Sequence, residues 1–242
     1  FVKCITQIQL AGIFMKKVVL ITLCYIFYYG SAFASYEQAL ALYQEKKYQE
    51  SLTMVADELV VADDYKENSP NYKLRYLAAH DHWKLGNDKS AVAHFRRCME
   101  IRKTATEPYI DCCILLLEKG RYNDAQSIAE DGLKIKEEPM LYWILGRVAL
   151  AKENYWKAKD LFEKANSLDP EMYVSYNDLG IVLMRLNKAG DANAAFSVAL
   201  AIYPDSPEAN YNMSYSFMIL GKKTEALAYA KRALELAPGN EV

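Results

Sequence analysis

Three prolines, Pro170, Pro204 and Pro238, stand one step of 34 residues apart, and the residues between them return at fixed places. Gly146 and Gly180 keep that step, as do Phe162 and Phe196, the series Ala158, Ala192 and Ala226, and the series Ala165, Ala199 and Ala233. A period of this length means that each unit is one supersecondary piece able to bury its apolar face only against its neighbours. The pattern therefore predicts an all-α solenoid of helical hairpins, in place of one closed core.

Each unit carries two stretches of apolar residues at helical spacing, such as Leu179, Val182, Leu183 and Leu186, then Ala192, Ala195, Phe196 and Ala199. Small residues on both stretches let the paired helices approach closely. The proline that follows removes a backbone donor and restricts the residue before it, so the second helix stops and the chain turns back.

Numbered from its first residue, the segment 173–206 has Tyr176 at place 4, Leu179 and Gly180 at 7 and 8, Leu183 at 11, Ala192 at 20, Phe196 at 24, Ala199 at 27 and Pro204 at 32. These residues resemble the tetratricopeptide repeat. The resemblance runs from about Ser35 to Asn240 in six copies: a degenerate first copy with its loop (35–71), whose frame counts from near Ala32 with Tyr48 at place 17 and Ser51 at place 20, then 72–105, 106–138 (one residue short), 139–172, 173–206 and 207–242. It implies a right-handed superhelix of antiparallel helix-turn-helix units, with places 2, 5, 9, 12 and 13 of each first helix lining a groove for a peptide or partner helix.

Those places are apolar and aromatic in this chain. They read Tyr76, His80 and Trp83 in the second copy, Ile110, Ile114 and Leu117 in the third, and Trp143, Arg147 and Leu150 in the fourth. Asn177, Ile181, Met184 and Arg185 follow in the fifth, and Tyr211, Tyr215 and Met218 in the sixth; Tyr36 and Tyr43 stand at such places in the first. Aromatic residues and arginine dominate binding hot spots, so the resemblance implies a protein or peptide partner. The alternative is that some of these side chains belong to the core. Place 9 never combines with place 5 as the asparagine and lysine of a chaperone-tail clamp, which argues against that ligand.

Ahead of the copies, Met15-Lys16-Lys17, an apolar run from Val18 to Tyr29 and Ala32-Phe33-Ala34 read as a secretory signal cleaved before Ser35. The run is short for a membrane span. Leu23 occupies the place before Cys24 where a lipobox needs a small residue, which disfavours lipid anchoring. Residues Phe1 to Phe14 read as an upstream segment outside the natural product. The expected location is therefore periplasmic or otherwise extracytoplasmic, with the membrane met only through the signal. Loss of residues 1–34 takes three lysines and no acid, moving the net charge from −2 to −5. A mildly acidic chain does not suggest a nucleic-acid partner. One folded domain is expected beyond the signal, with a loop near Ala62 to Pro70.

Cys98, Cys112 and Cys113 follow the signal. Cys98 and Cys113 fall at small-residue packing places, where they substitute for alanine or glycine. An exported compartment also allows a bridge from Cys98 to Cys112 or Cys113. No catalytic constellation, cofactor fingerprint or metal-ligand spacing emerges: His80 and His82 point to different faces, and Gly221-Lys222-Lys223-Thr224 lacks the phosphate-loop spacing. The expectation is a non-enzymatic interaction scaffold of the bacterial envelope, for pilus, secretion or envelope assembly, without cofactor or metal. A self-associating structural protein, using Leu227, Ala230 and Leu234 on an uncapped last helix, is the alternative.

Overall fold

The computed structural model describes residues 35–59 and 70–237. The segments read as upstream sequence and secretory signal, most of the loop near Ala62 and the terminal Pro238 lie outside these residues. Twelve helices and no strand occur among the described residues. Helix α1 covers residues 35–44. It is followed by α2 (Tyr48–Leu59), α3 (Pro70–Lys84), α4 (Asp88–Ile101), α5 (Glu107–Glu118) and α6 (Tyr122–Leu133). The last six are α7 (Pro139–Ala151), α8 (Tyr155–Leu168), α9 (Tyr173–Arg185), α10 (Ala189–Ile202), α11 (Pro207–Ile219) and α12 (Lys223–Leu236).

The repeat frame locates these helices closely. Every second helix, from α2 to α12, begins at place 17 of its copy. Three first helices, α7, α9 and α11, occupy places 1–13. The chain divides into two compact units, Phe1–Lys103 and Thr104–Val242. The division falls where the short third copy begins.

In the first unit, Ala39, Val55, Leu74, Leu77 and Ala78 form the core, and Tyr36, Leu40 and Tyr43 pack on it. Ser51 donates a hydrogen bond to the buried Asp81 carboxylate at 2.8 Å. In the second unit, the two helices of each hairpin pack together, and each second helix packs on the next first helix. One core cluster runs from Ala149 through Phe162, Leu183 and Phe196 to Met213.

Two features repeat from hairpin to hairpin. Place 8 and place 24 share one volume. A Cβ on Gly146 would come within 2.5 Å of the Phe162 ring, and one on Gly180 would run into Phe196. Where place 24 is only Ala129 or Ala230, place 8 enlarges to Cys113 or Ser214, which donates to the carbonyl of Ala125 (3.3 Å) or Ala226 (2.8 Å). The second feature is the turn. Place 15 is left-handed in all six copies, held by Lys46, Gly86, Gly120, Glu153, Asn187 and Gly221. The next N–H reaches back across the helix end, as when Lys188 donates to the Leu183 carbonyl at 2.8 Å. Each turn thus leaves its hairpin by the same path whether or not glycine is present.

The thiols follow this packing, and the structure contains no bridge among Cys98, Cys112 and Cys113. All three are buried. Cys113 points at its own hairpin's second helix, and Cys98 at the Tyr72 carbonyl, 3.7 Å away. Burial pushes the Cys98 thiol up to about 12 and raises Cys113 as well, so neither is a thiolate at neutral pH. The small-residue packing places decide the outcome.

Candidate functional site

The groove places distribute themselves differently in the two units. In the first, Tyr76, His80 and Trp83 are half-buried and stack around Phe95. His80 lies edge-on to Phe95 at 5.3 Å and to Tyr76 at 4.8 Å, while Trp83 lies 6.4 Å from Phe95. His82 and His94 stack at 5.3 Å. Both are shifted down by burial, His94 to about 4, and no cluster of three metal-ligating residues occurs among the described residues.

The second unit opens a cavity of about 520 Å³ between α9 and α11. Five of the sequence-predicted residues line it: Ile181, Met184, Arg185, Tyr211 and Tyr215. Helical spacing explains their convergence, since places 5, 9 and 12 fall on one face of adjacent first helices. Tyr211 and Tyr215 remain 45% and 46% exposed. The Arg185 guanidinium is exposed and makes no ion pair with a described residue. Met218 is exposed near this face at 57%. The sequence reading missed Asn187, Asn212 and Ile219 on the cavity wall. Asn187 belongs to the left-handed turn, and Ile219 is the last residue of α11, places outside the five considered.

Other predicted residues are structural partners. Trp143 is half-buried and donates its indole N–H to Asp178 at 2.8 Å. Arg147 meets the same carboxylate at 3.3 Å and lies over the Trp143 ring at 5.6 Å. Asp178 is buried, and the loss of water raises its carboxyl to about 6 even though Arg147 and the indole N–H pull it down. Trp143 and Arg147, placed on the groove by the sequence, thus both engage a neighbouring hairpin. Asn177 is also buried, donating to Glu208 at 3.3 Å and accepting from Asn212 at 2.9 Å. Ile110, Ile114, Leu117 and Leu150 are half-buried along α5 and α7.

Among the described residues, the arrangement offers an apolar, aromatic-walled recess with the Arg185 cation at its lip and no nucleophile paired with a base on its wall. Its chemistry suits holding an extended or helical segment that carries apolar side chains and a carboxylate.

These features define a helical-hairpin repeat protein. Two family models, both described as tetratricopeptide repeat, match residues 177–241 and residues 72–104 with 141–172. Together they cover more than half of the chain, which carries tetratricopeptide repeats and belongs with the proteins built from them. Among relatives, the peroxisomal targeting signal receptor of Saccharomyces cerevisiae is 30% identical over 99 residues, 41% of this chain and 16% of that protein. The chain thus spans under a fifth of that relative's length. Among solved structures, PilW, titled a widely conserved type IV pilus biogenesis factor, matches at TM-score 0.72 with 14% identity, covering 87% of this chain and 95% of PilW. PilF of Pseudomonas aeruginosa matches at TM-score 0.70 with 15% identity, covering 86% and 93%. At such identities these structures establish the fold alone.

Proposed function

We propose that this chain is a non-catalytic protein-protein interaction scaffold that holds a peptide or helix of a partner between α9 and α11. The observation that carries the reading is the recess itself, walled by two half-exposed tyrosines with an unpaired guanidinium at its edge. An apolar recess of this size on a repeat protein suits a ligand, and binding energy concentrates in such aromatic and arginine anchors. The likeness to a peroxisomal targeting signal receptor is in keeping with recognition of a short peptide. The fold likeness to PilW and PilF, with the export signal read in residues 15–34, favours a role in pilus, secretion or envelope assembly outside the cytoplasm.

The test is a fluorescence-polarisation screen of peptides that pair apolar side chains with Asp, Glu or a free C-terminus. A peptide that binds the parent protein should lose about tenfold or more in affinity on Tyr215→Ala or Arg185→Glu, with an unchanged melting curve. Equal affinity for both variants would refute the site. For export, mass spectrometry of the protein recovered from a bacterial envelope fraction should give Ser35 as its first residue; an uncleaved N-terminus there would refute the signal.

A second reading has its own observation. Leu227 and Leu234 on α12 are 58% and 44% exposed, an apolar stripe suited to self-association. Light scattering that shows concentration-dependent mass, abolished by Leu227→Asp, would favour it over the scaffold acting as a monomer.

A further inference from the structure

The shared left-handed turn has a consequence on the outside of the second unit. It stacks the tips of the last three hairpins into one row. The Lys188 ammonium lies over the Trp156 ring at 5.2 Å, which joins the tips of the α7–α8 and α9–α10 hairpins. Asn187, Ala189 and Ile219 share one cavity wall, which joins the α9–α10 and α11–α12 tips.

Large apolar side chains stand out of this row. Trp156, at the start of α8, is 59% exposed; Ile219 and Leu220, at the end of α11, are 57% and 41% exposed. A tryptophan exposed on a turn contributes little to a core, and the same holds for the exposed Ile-Leu pair two tips further along the row. Around them are Lys152, Lys157, Lys188, Lys222 and Lys223, all exposed. Five lysines face three carboxylates on the same turns, those of Glu153, Asp191 and Glu225, in a chain whose total charge is −2. The two opposite turns, between α8 and α9 and between α10 and α11, have the reverse character. They carry Asp169, Glu171, Asp205 and Glu208, with Asp205 held by Arg232 at 2.6 Å. Charge is thus sorted between these two sets of turns; Trp156 and Ile219, 59% and 57% exposed, fall on the cationic one, against Leu168 and Tyr203, 37% and 44% exposed, on the other.

We propose that this lysine-rich row of turns docks on an anionic lipid surface. Its indole and the Ile219-Leu220 pair enter the headgroup layer while the lysines meet lipid phosphates. Tryptophan belongs at the boundary between hydrocarbon and water, because its ring is apolar and its N–H polar. Lysines close to an anionic leaflet gain from its surface potential, and apolar insertion together with cations gives the two signals that stable peripheral binding requires. A bilayer suits separate protruding tips better than an acidic protein does, since a fluid layer accepts them without needing a matching pocket for each.

The experiment is vesicle co-sedimentation of the full chain, using mixed phosphatidylglycerol-phosphatidylcholine vesicles and pure phosphatidylcholine vesicles. Retention is expected on the anionic vesicles, weakened by salt, and much lower on the neutral ones. The double variant Lys222→Glu with Lys223→Glu should lower anionic partition by about tenfold or more, since each lysine near such a surface counts for about fivefold. Tryptophan emission should shift to shorter wavelength on the anionic vesicles, and the shift should vanish in Trp156→Ser although Trp83 and Trp143 remain. Unchanged melting of both variants verifies the fold. Three outcomes would overturn the proposal. One is equal retention on neutral vesicles. Another is undiminished retention of both variants, which would place the binding on the apolar run from Val18 to Tyr29. The third is capture by polyglutamate without retention on either vesicle, which would assign the edge to an acidic polypeptide.

Discussion

The α3–α4 hairpin and the α9–α11 face use the same places of the repeat to opposite ends. In the first, places 5, 9 and 12 hold Tyr76, His80 and Trp83, rings large enough to reach one another and Phe95. They occupy their own groove. In the second, the equivalent Ile181 and Met184, with Tyr211 and Tyr215 opposite, leave about 520 Å³ open. A place in the frame fixes the side of the helix that a residue occupies. Whether that side is a wall or a filling depends on the sizes of its neighbours.

The largest effect that would break this contrast is Phe95→Ala. Removing the ring at the centre of the first-unit cluster should cost about 3–5 kcal/mol in a denaturant melt. A cost below about 1 kcal/mol would mean that the cluster is a surface decoration. Trp143→Ala should follow at roughly 2–4 kcal/mol, since it deletes a half-buried ring and leaves the buried Asp178 without its indole donor. Pairing it with Asp178→Asn should recover part of that loss. Additive losses in the double variant would show that the two groups are not coupled.

The units should also respond differently to pH. Asp178 has a folded pKa raised to about 6 by burial, above the unfolded carboxylate value, so protons bind the folded state more tightly in that range. Stability of the second unit should therefore rise as pH falls from about 7 toward 4, and Asp178→Asn should remove that slope. In the first unit, Asp81 is likewise raised to about 6, but His94 is lowered to about 4. Its neutral folded form loses stability as pH falls from the ordinary histidine value toward 4. The two contributions oppose, and hydrogen exchange read unit by unit should show a flatter profile in the first than in the second.

Smaller effects sharpen the picture. Glu153 holds a left-handed turn at φ 57° that glycine holds in three other copies. Glu153→Gly should raise stability by up to about 1 kcal/mol in a thermal melt, because the Cβ penalty of that conformation disappears. Tyr215→Ala, at a half-exposed site, should change stability by about 0.5 kcal/mol or less.

The 34-residue period carried the all-α architecture of stacked helical hairpins. The groove places that the family resemblance implied include five of the residues that line the recess, because the side of a helix that a residue occupies is a local property. They could not separate Trp143 and Arg147 from the open wall. Their role depends on Asp178, which lies on the next hairpin and stands at a place the groove reading did not use. Trp156 escaped attention for a similar reason: it sits on a second helix, and only the stacking of turns brings Lys188 over its ring. The left-handed conformation of Lys46 and Glu153 was masked by side chains that do not announce it.

The shared volume of places 8 and 24 makes each hairpin an indivisible cassette. A recombinant joining the first helix of the Cys113 copy to the second helix of the Phe196 copy would set a thiol against an aromatic ring. The reverse splice would place Gly180 opposite Ala129 and leave a hole. Crossovers between copies should survive at the turns that separate hairpins and fail within them, so that duplication lengthens such a chain in whole steps of 34 residues.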